Sequence, residues 1–239
     1  MYFLFSGEGP TDMGVGTGAT VICEGEDYQC GPMAIIVDQI VENRHKYSLF
    51  EAQCCGYVSE QSITARASEL KDVKKEIRLP GKWKAKETHF HFNNARVLAR
   101  IAGEKQQQLK DEVVAVLFHD SDDTASHGRS EWNAKFNSML DGFEEERLAK
   151  GVPIVPKPTS EAWLIAGMTG SPNHGGRSLE EWSGKKNSPK SLKGELEKLL
   201  GEKPTADKLC EMVKERQIDY KKIPLPSFTA FKNRLIEVI

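Results

Sequence analysis

What this chain lacks narrows its class before any motif is read. It contains no uninterrupted run of about 18 apolar residues, so no membrane-spanning helix is expected. The opening stretch Met1-Tyr2-Phe3-Leu4-Phe5-Ser6 carries no basic residue and meets Glu8 too early for a secretory leader, which sets the expectation of a cytoplasmic protein. The net charge is only −2, which argues neither for nor against a nucleic-acid partner, because a local patch survives a neutral total. The five cysteines are an odd count without C-x-x-C spacing. Reduced thiols are therefore expected rather than a disulfide framework or a zinc site, with Cys54 and Cys55 packing as small hydrophobes. Two nucleotide-binding loops are missing as well. Gly7-x-Gly9 has Asp12 where a dinucleotide fingerprint needs its third glycine, and no G-x-x-x-x-G-K-[ST] occurs. There is no internal repeat.

What is present begins with residues 113–124, Val-Val-Ala-Val-Leu-Phe-His-Asp-Ser-Asp-Asp-Thr. A β-branched apolar run of this kind reads as a strand buried on both faces, ending abruptly in carboxylates. Ligands of open α/β sheets bind outside the carboxyl ends of strands, which is where Asp120 and Asp122 fall. Crowded carboxylates must share a proton or a cation, and a hard divalent ion, Mg2+ or Mn2+, is the natural partner. Asp123 reads as a loop bystander.

The rest of the chain supplies the expected framework. Residues 2–5 form a first strand ending in Ser6-Gly7-Glu8-Gly9-Pro10-Thr11-Asp12, a second acidic strand end. Residues 14–31 are glycine-rich and read as a mobile loop. Pro32 opens a helix whose apolar face is Met33, Ile36, Val37, Ile40 and Val41. A second strand is expected over residues 49–58 and a more polar helix over 62–77. Residues 82–92 interleave basic and aromatic side chains, which suits nucleic-acid stacking but reads better as a structured loop with its aromatics tucked inward. Asn93 or Asn94 would then cap the next helix. After the 113–118 strand comes a helix with Trp132, Phe136, Met139, Leu140 and Phe143 on one face, ending near Gly151 as its C-cap. Residues 152–156 read as an edge strand because of their prolines. Thr159 or Ser160 opens a helix containing Glu161, and residues 171–239 are helical with Leu192, Leu196, Leu199, then Leu209, Met212, Val213, then Phe228, Phe231, Leu235 as apolar faces. Strands alternating with helices imply an α/β fold with a mostly parallel central sheet of about four strands flanked by helices. The division drawn from sequence is a core at residues 1–168 and a helical extension at 169–239 packed on it.

At the strand ends the chain resembles the Toprim family of topoisomerases, primases and nucleases, whose pattern is a glutamate after the first strand and Asp-x-Asp after a later one. Ser6-Gly7-Glu8-Gly9 and His119-Asp120-Ser121-Asp122 carry that likeness. Asp12, four residues after Glu8, resembles the second acid of the overcoming-lysogenization-defect (OLD) nucleases, as Asp in place of Glu. The chain is also similar to small stand-alone bacterial Toprim-like proteins, through Glu8-Gly9-Pro10-Thr11-Asp12, Gly31-Pro32 and Pro158-Thr159-Ser160-Glu161-Ala162-Trp163-Leu164. The long insert between Asp12 and Gly31 departs from that pattern.

The resemblance implies a Rossmannoid three-layer core and a Mg2+- or Mn2+-dependent nuclease. Two-metal phosphodiester hydrolysis needs carboxylates converging on cations about 4 Å apart. The expected ligands are Glu8 and Asp12 at one ion, Asp122 and Glu161 at the other, with Asp120 touching or bridging; Glu8 is alternatively a general acid/base. Lys157 or Lys190 would offset phosphate charge, and His119, His127 and Arg129 stand nearby in sequence. Partners implied are a nucleic-acid substrate, an ATPase that restrains or activates the protein in an antiphage system, and a second copy of the chain, with no membrane. A rival reading takes Asp120-Ser121-Asp122-Asp123-Thr124 as the D-x-D-x-T nucleophile motif of haloacid-dehalogenase-type phosphatases, with Asp120 attacking phosphorus.

Overall fold

The computed structural model describes residues 1–73, 86–121, 129–183, 188 and 191–239. In chain order they form β1 (Tyr2–Gly7), β2 (Gly14–Gly16), β3 (Cys23–Glu24), β4 (Tyr28–Cys30), α1 (Pro32–His45), β5 (Cys55–Val58), α2 (Glu60–Val73), α3 (Lys86–Leu109), β6 (Val113–Phe118), α4 (Arg129–Glu145), β7 (Gly151–Ile154), α5 (Ser160–Thr169), β8 (Asn173–His174), β9 (Arg177–Ser178), α6 (Leu192–Leu200), α7 (Ala206–Lys214) and α8 (Pro226–Val238).

The central sheet has the order β3-β5-β1-β6-β7. Its members β5, β1, β6 and β7 run parallel, and only the two-residue edge strand β3 is antiparallel. From β1 the chain crosses through α1 to β5 on one side, then returns through α2 and α3 to β6 on the other. The winding therefore reverses between β1 and β6, and a crevice must open at their carboxyl ends.

Each strand feeds two cores by alternation. Phe3 and Phe5, with Val114, Val116 and Phe118, pack with residues of α1, α5 and the C-terminal helices. Tyr2 and Leu4, with Val113, Ala115 and Leu117, pack with residues of α3 and α4. Both faces being covered is why these strands read as near-continuous apolar runs. Among the described residues, no helix is long and apolar enough to cross a membrane.

Several local expectations are corrected. Residues 14–31 are an ordered excursion: β2 pairs with β4, and Cys23 and Glu24 pair with Tyr57 and Gly56 at the sheet edge. The second strand is only Cys55–Val58, because residues 51–53 form a turn. Helix α3 begins at Lys86, so Asn93 and Asn94 lie inside it and cap nothing. Helix α4 stops at Glu145, where Arg147 takes the left-handed turn at φ 60°. Gly151 instead starts β7, where a Cβ would meet the Phe143 ring at 2.2 Å. Leu199 is exposed, unlike its partners Leu192 and Leu196. The edge position of β7 agrees with its proline, since β6 is its sole sheet neighbour.

Helix α5 is buried from Ser160 through Gly167 apart from Glu161, wedged between the sheet and the tail. Trp163 is fully buried, stacks on Phe231, meets Phe228 edge-on, and donates to Ser227 Oγ at 2.8 Å. This ring fastens α8 to α5. Trp163→Ala is expected to cost about 3–5 kcal/mol, the range for deleting a buried aromatic, while Ser227→Ala costs about 1 kcal/mol for one hydrogen bond. Urea unfolding measures both, and an unshifted midpoint for Trp163→Ala would contradict this docking.

Candidate functional site

The site grows from the register of β1 and β6. Gly7 sits opposite Phe118, and a Cβ there would lie 2.9 Å from the Phe118 Cβ, so only glycine lets the two strand ends stay this close. One residue further, the strands grip each other twice. The Glu8 amide donates to the Phe118 carbonyl at 3.3 Å, and the Asp120 amide donates to Glu8 Oε1 at 2.6 Å. Glu8 and Asp120, read from sequence as two separate strand ends, are thus joined directly.

Asp120 is fixed in turn. Its Oδ1 accepts the Ser160 amide at 2.9 Å, so the first residue of α5 faces a carboxylate, as the positive helix end favours. The next residue, Ser121, is fully buried, and its amide and hydroxyl donate to the Pro156 and Pro158 carbonyls. Lys135 of α4 also donates to the Ser121 carbonyl. The β6 exit is therefore held from both sides.

Asp12 reaches the same place by a different route. Its carbonyl accepts the Met33 amide at 3.0 Å in the first turn of α1, and it passes so close to Gly31 that a Cβ there would lie 2.3 Å away. That close approach explains the Gly31-Pro32 pair. The half-buried Asp12 carboxyl is pushed up to about 6 by burial and by the charges of Glu161 and Glu8, against the opposing hydrogen bonds from Ser160 and Thr11. Glu161, one residue into α5, has Lys193 at 3.8 Å, while its Oε2 is buried without a hydrogen-bond partner.

Behind Glu8 stands a histidine pair. His119 is buried, its Nδ1 3.2 Å from Glu8 Oε2 and its Nε2 3.3 Å from the Asn94 amide nitrogen. The Nδ1 edge of the ring is thus the one nearest Glu8, although Nδ1 makes no hydrogen bond of regular geometry there. Burial would raise the Glu8 carboxyl, but His119 and the Asp120 amide outweigh it and hold Glu8 below the usual carboxylate range. The neighbouring His91 ring lies 5.0 Å from His119; burial, reinforced by the charges of His119 and Lys135, drives its pKa down to about 3, so it is neutral at physiological pH.

A pocket of about 210 Å³ opens on this set, lined by Asp12, Asp120, Ser160 and Glu161 on one wall and by Lys193 and Lys203 of the C-terminal region on the other. Lys157, expected as the phosphate-side cation, is in the loop before Pro158 and does not line it. Asp122, Asp123, His127 and Lys190 lie outside the described residues, as does the Arg129 side chain. The lysines of the C-terminal region and the two histidines are what sequence reasoning undervalued. Lys193, two residues after the Ser191 cap of α6, sits three residues beyond the favoured Lys190, and the apolar period of α6 was the clue to its placement.

Among the described residues, no three histidine, cysteine, aspartate or glutamate side chains converge closely enough to hold a metal ion as they stand. The donor chemistry nevertheless fits a hard cation: oxygen ligands only, a carboxyl pushed up to about 6 by burial and then by the acids beside it, and an orphaned buried Oε2 on Glu161. No family model matches this chain, and neither a curated protein nor a solved structure matches it.

The raised Asp12 carboxyl has a measurable sign. Folded, Asp12 keeps its proton to about pH 6, while unfolded it releases it near 3.8. The folded state binds more protons across that interval, so Asp12 makes stability fall as pH rises from 3.8 to 6 and contributes a constant cost above it. Asp12→Asn is expected to remove that slope and to unfold at higher urea than the unsubstituted protein at pH 7.5 without metal. Equal midpoints at pH 7.5 would show that this charge is not confined as described.

Proposed function

We propose that this chain is a Mg2+- or Mn2+-dependent nuclease of Toprim type, hydrolysing phosphodiester bonds of DNA or RNA. The observation that carries the reading is the direct coupling of Glu8 to Asp120 across the point where the sheet reverses its winding, with Asp12 beside them. A catalytic group in a crevice of this kind is held by neighbours rather than left to rotate, and both Glu8 oxygens are so placed.

In this reading Glu8, Asp12, Asp120 and Glu161 hold the cations, with Asp122 completing the set from the sequence pattern. Bound divalent metal supplies an activated water and stabilises the leaving oxygen. The chain itself contributes the rest. The Ser160 amide orients Asp120, and His119 keeps Glu8 ionised and pointed at the crevice. Glu8 kept below the ordinary carboxylate range suits a ligand or base better than an acid. The haloacid-dehalogenase-type reading would leave Glu8 without a task, although its carboxylate is bonded to the residue after His119.

The test is cleavage of single-stranded DNA, duplex DNA and RNA with Mg2+ or Mn2+, alone and with a co-encoded ATPase. Glu8→Gln and Asp120→Asn are each expected to lower the rate by about 10²–10⁴-fold, the range for a lost acid–base or charge-positioning group. Retained activity in Glu8→Gln, together with a beryllofluoride adduct on Asp120, would replace this reading with the phosphatase one. His119→Asn, which keeps a donor near the Nδ1 position, is expected to retain more of the rate than His119→Leu at equal folded stability; the reverse order would remove His119 from the positioning of Glu8.

A further inference from the structure

The pocket beside the carboxylates carries charge of both signs, and its two lysines come from the C-terminal region, which also contributes Glu197. Lys193 lies in the first turn of α6, and Lys203 follows in the turn between α6 and α7. Lys193 is about half exposed at 48%, and its 3.8 Å separation from the Glu161 carboxylate is long for an ion pair. A wet, loose pair of this kind adds little stability, so folding alone does not account for an ammonium group at this mouth. Beneath the charged groups the floor of the pocket is closed by Leu164, Leu196 and Leu209, which are buried in the core. The volume of about 210 Å³ has room for roughly seven waters at about 30 Å³ each. That matches a phosphoryl group with its sugar and is far too small for a duplex.

The charge pattern selects the ligand further. A free anion is repelled by Asp12, Asp120, Glu161 and Glu197, and a free cation by the two lysines. A phosphate whose oxygens meet cations on the acidic wall and ammonium groups on the other satisfies both. We propose that Lys193 and Lys203 form a phosphate-gripping subsite for one nucleotide of a single strand, so that the C-terminal helices complete the substrate site. This rests on the nuclease reading above and names the substrate form that reading leaves open.

Each lysine that neutralises a phosphate of a single strand steepens the salt dependence of binding by about 0.7 in d log K/d log[salt]. The experiment follows a fluorescein-labelled thymidine strand of about ten nucleotides by anisotropy, over a range of salt, on the full chain in Ca2+. Lys193→Gln with Lys203→Gln is expected to flatten the slope by about 1.4, each alone by about half of that, and the exposed Lys46→Gln to leave it unchanged. Competition by thymidine 5′-monophosphate assigns the subsite to a terminal phosphate, and binding without such competition assigns it to an internal phosphodiester. An unchanged slope in the double variant overturns the lysine assignment while leaving metal-dependent cleavage, assayed separately in Mn2+, to stand or fall alone. Stronger binding of duplex than of single strand overturns the proposed substrate form, and no binding of any strand overturns the subsite outright.

Discussion

Everything at the crevice depends on two parallel strands being able to end side by side at the same height. Backbone pairing carries β1 and β6 in register to Gly7 and Phe118, and the missing side chain at Gly7 allows the pairing to continue one residue further. From there the acids are tied in sequence: Glu8 to the Asp120 amide, Asp120 to the Ser160 amide, and Ser160 back to Asp12. Three segments distant in the chain become one electrostatic unit. Like charges gathered in this way oppose one another, and that opposition adds to burial in raising the Asp12 carboxyl.

The surrounding layers resist that opposition through neutral dipoles and packing. Helix α5 gives its amide to Asp120 while burying nearly every other side chain. Trp163, two residues after Glu161, is stacked on the last helix, so the position of an acid in the crevice is mechanically linked to the packing of the tail. The C-terminal region is for that reason part of the framework of the site, and it lends the pocket its only lining lysines among the described residues.

Much of this was legible in the order of residues. The 113–118 run, the acids at 8, 12, 120 and 161, and the apolar faces of α1, α7 and α8 all stand out in the sequence itself. What escaped was set by distant partners. Strands of two or three residues such as β3 exist because Tyr57 and Gly56 stand ready to pair, which nothing between residues 14 and 31 announces. Asn94 has the chemistry of a cap yet spends its amide on His119, twenty-five residues away. Gly151 looks like a helix terminator and is instead the space into which Phe143 packs. The pocket lysines have only the apolar period of α6 to announce Lys193, since it is the folding of α6 against α5 and of α7 against α1 that gives them acidic neighbours.

The excursion between β2 and β4 is closed at its base by the Gly14–Cys30 pairing and by the amides that run between residues 12–13 and 31–33. Both stems are thereby anchored to α1 before the chain leaves the sheet, and the tip at residues 19–21 is exposed. Strain or added mass at that tip is absorbed by the stems and does not travel to Asp12. The segment behaves as a socket: a place where sequence length can change, a tag can be grafted, or a new recognition loop can arise while the acidic crevice keeps its dimensions.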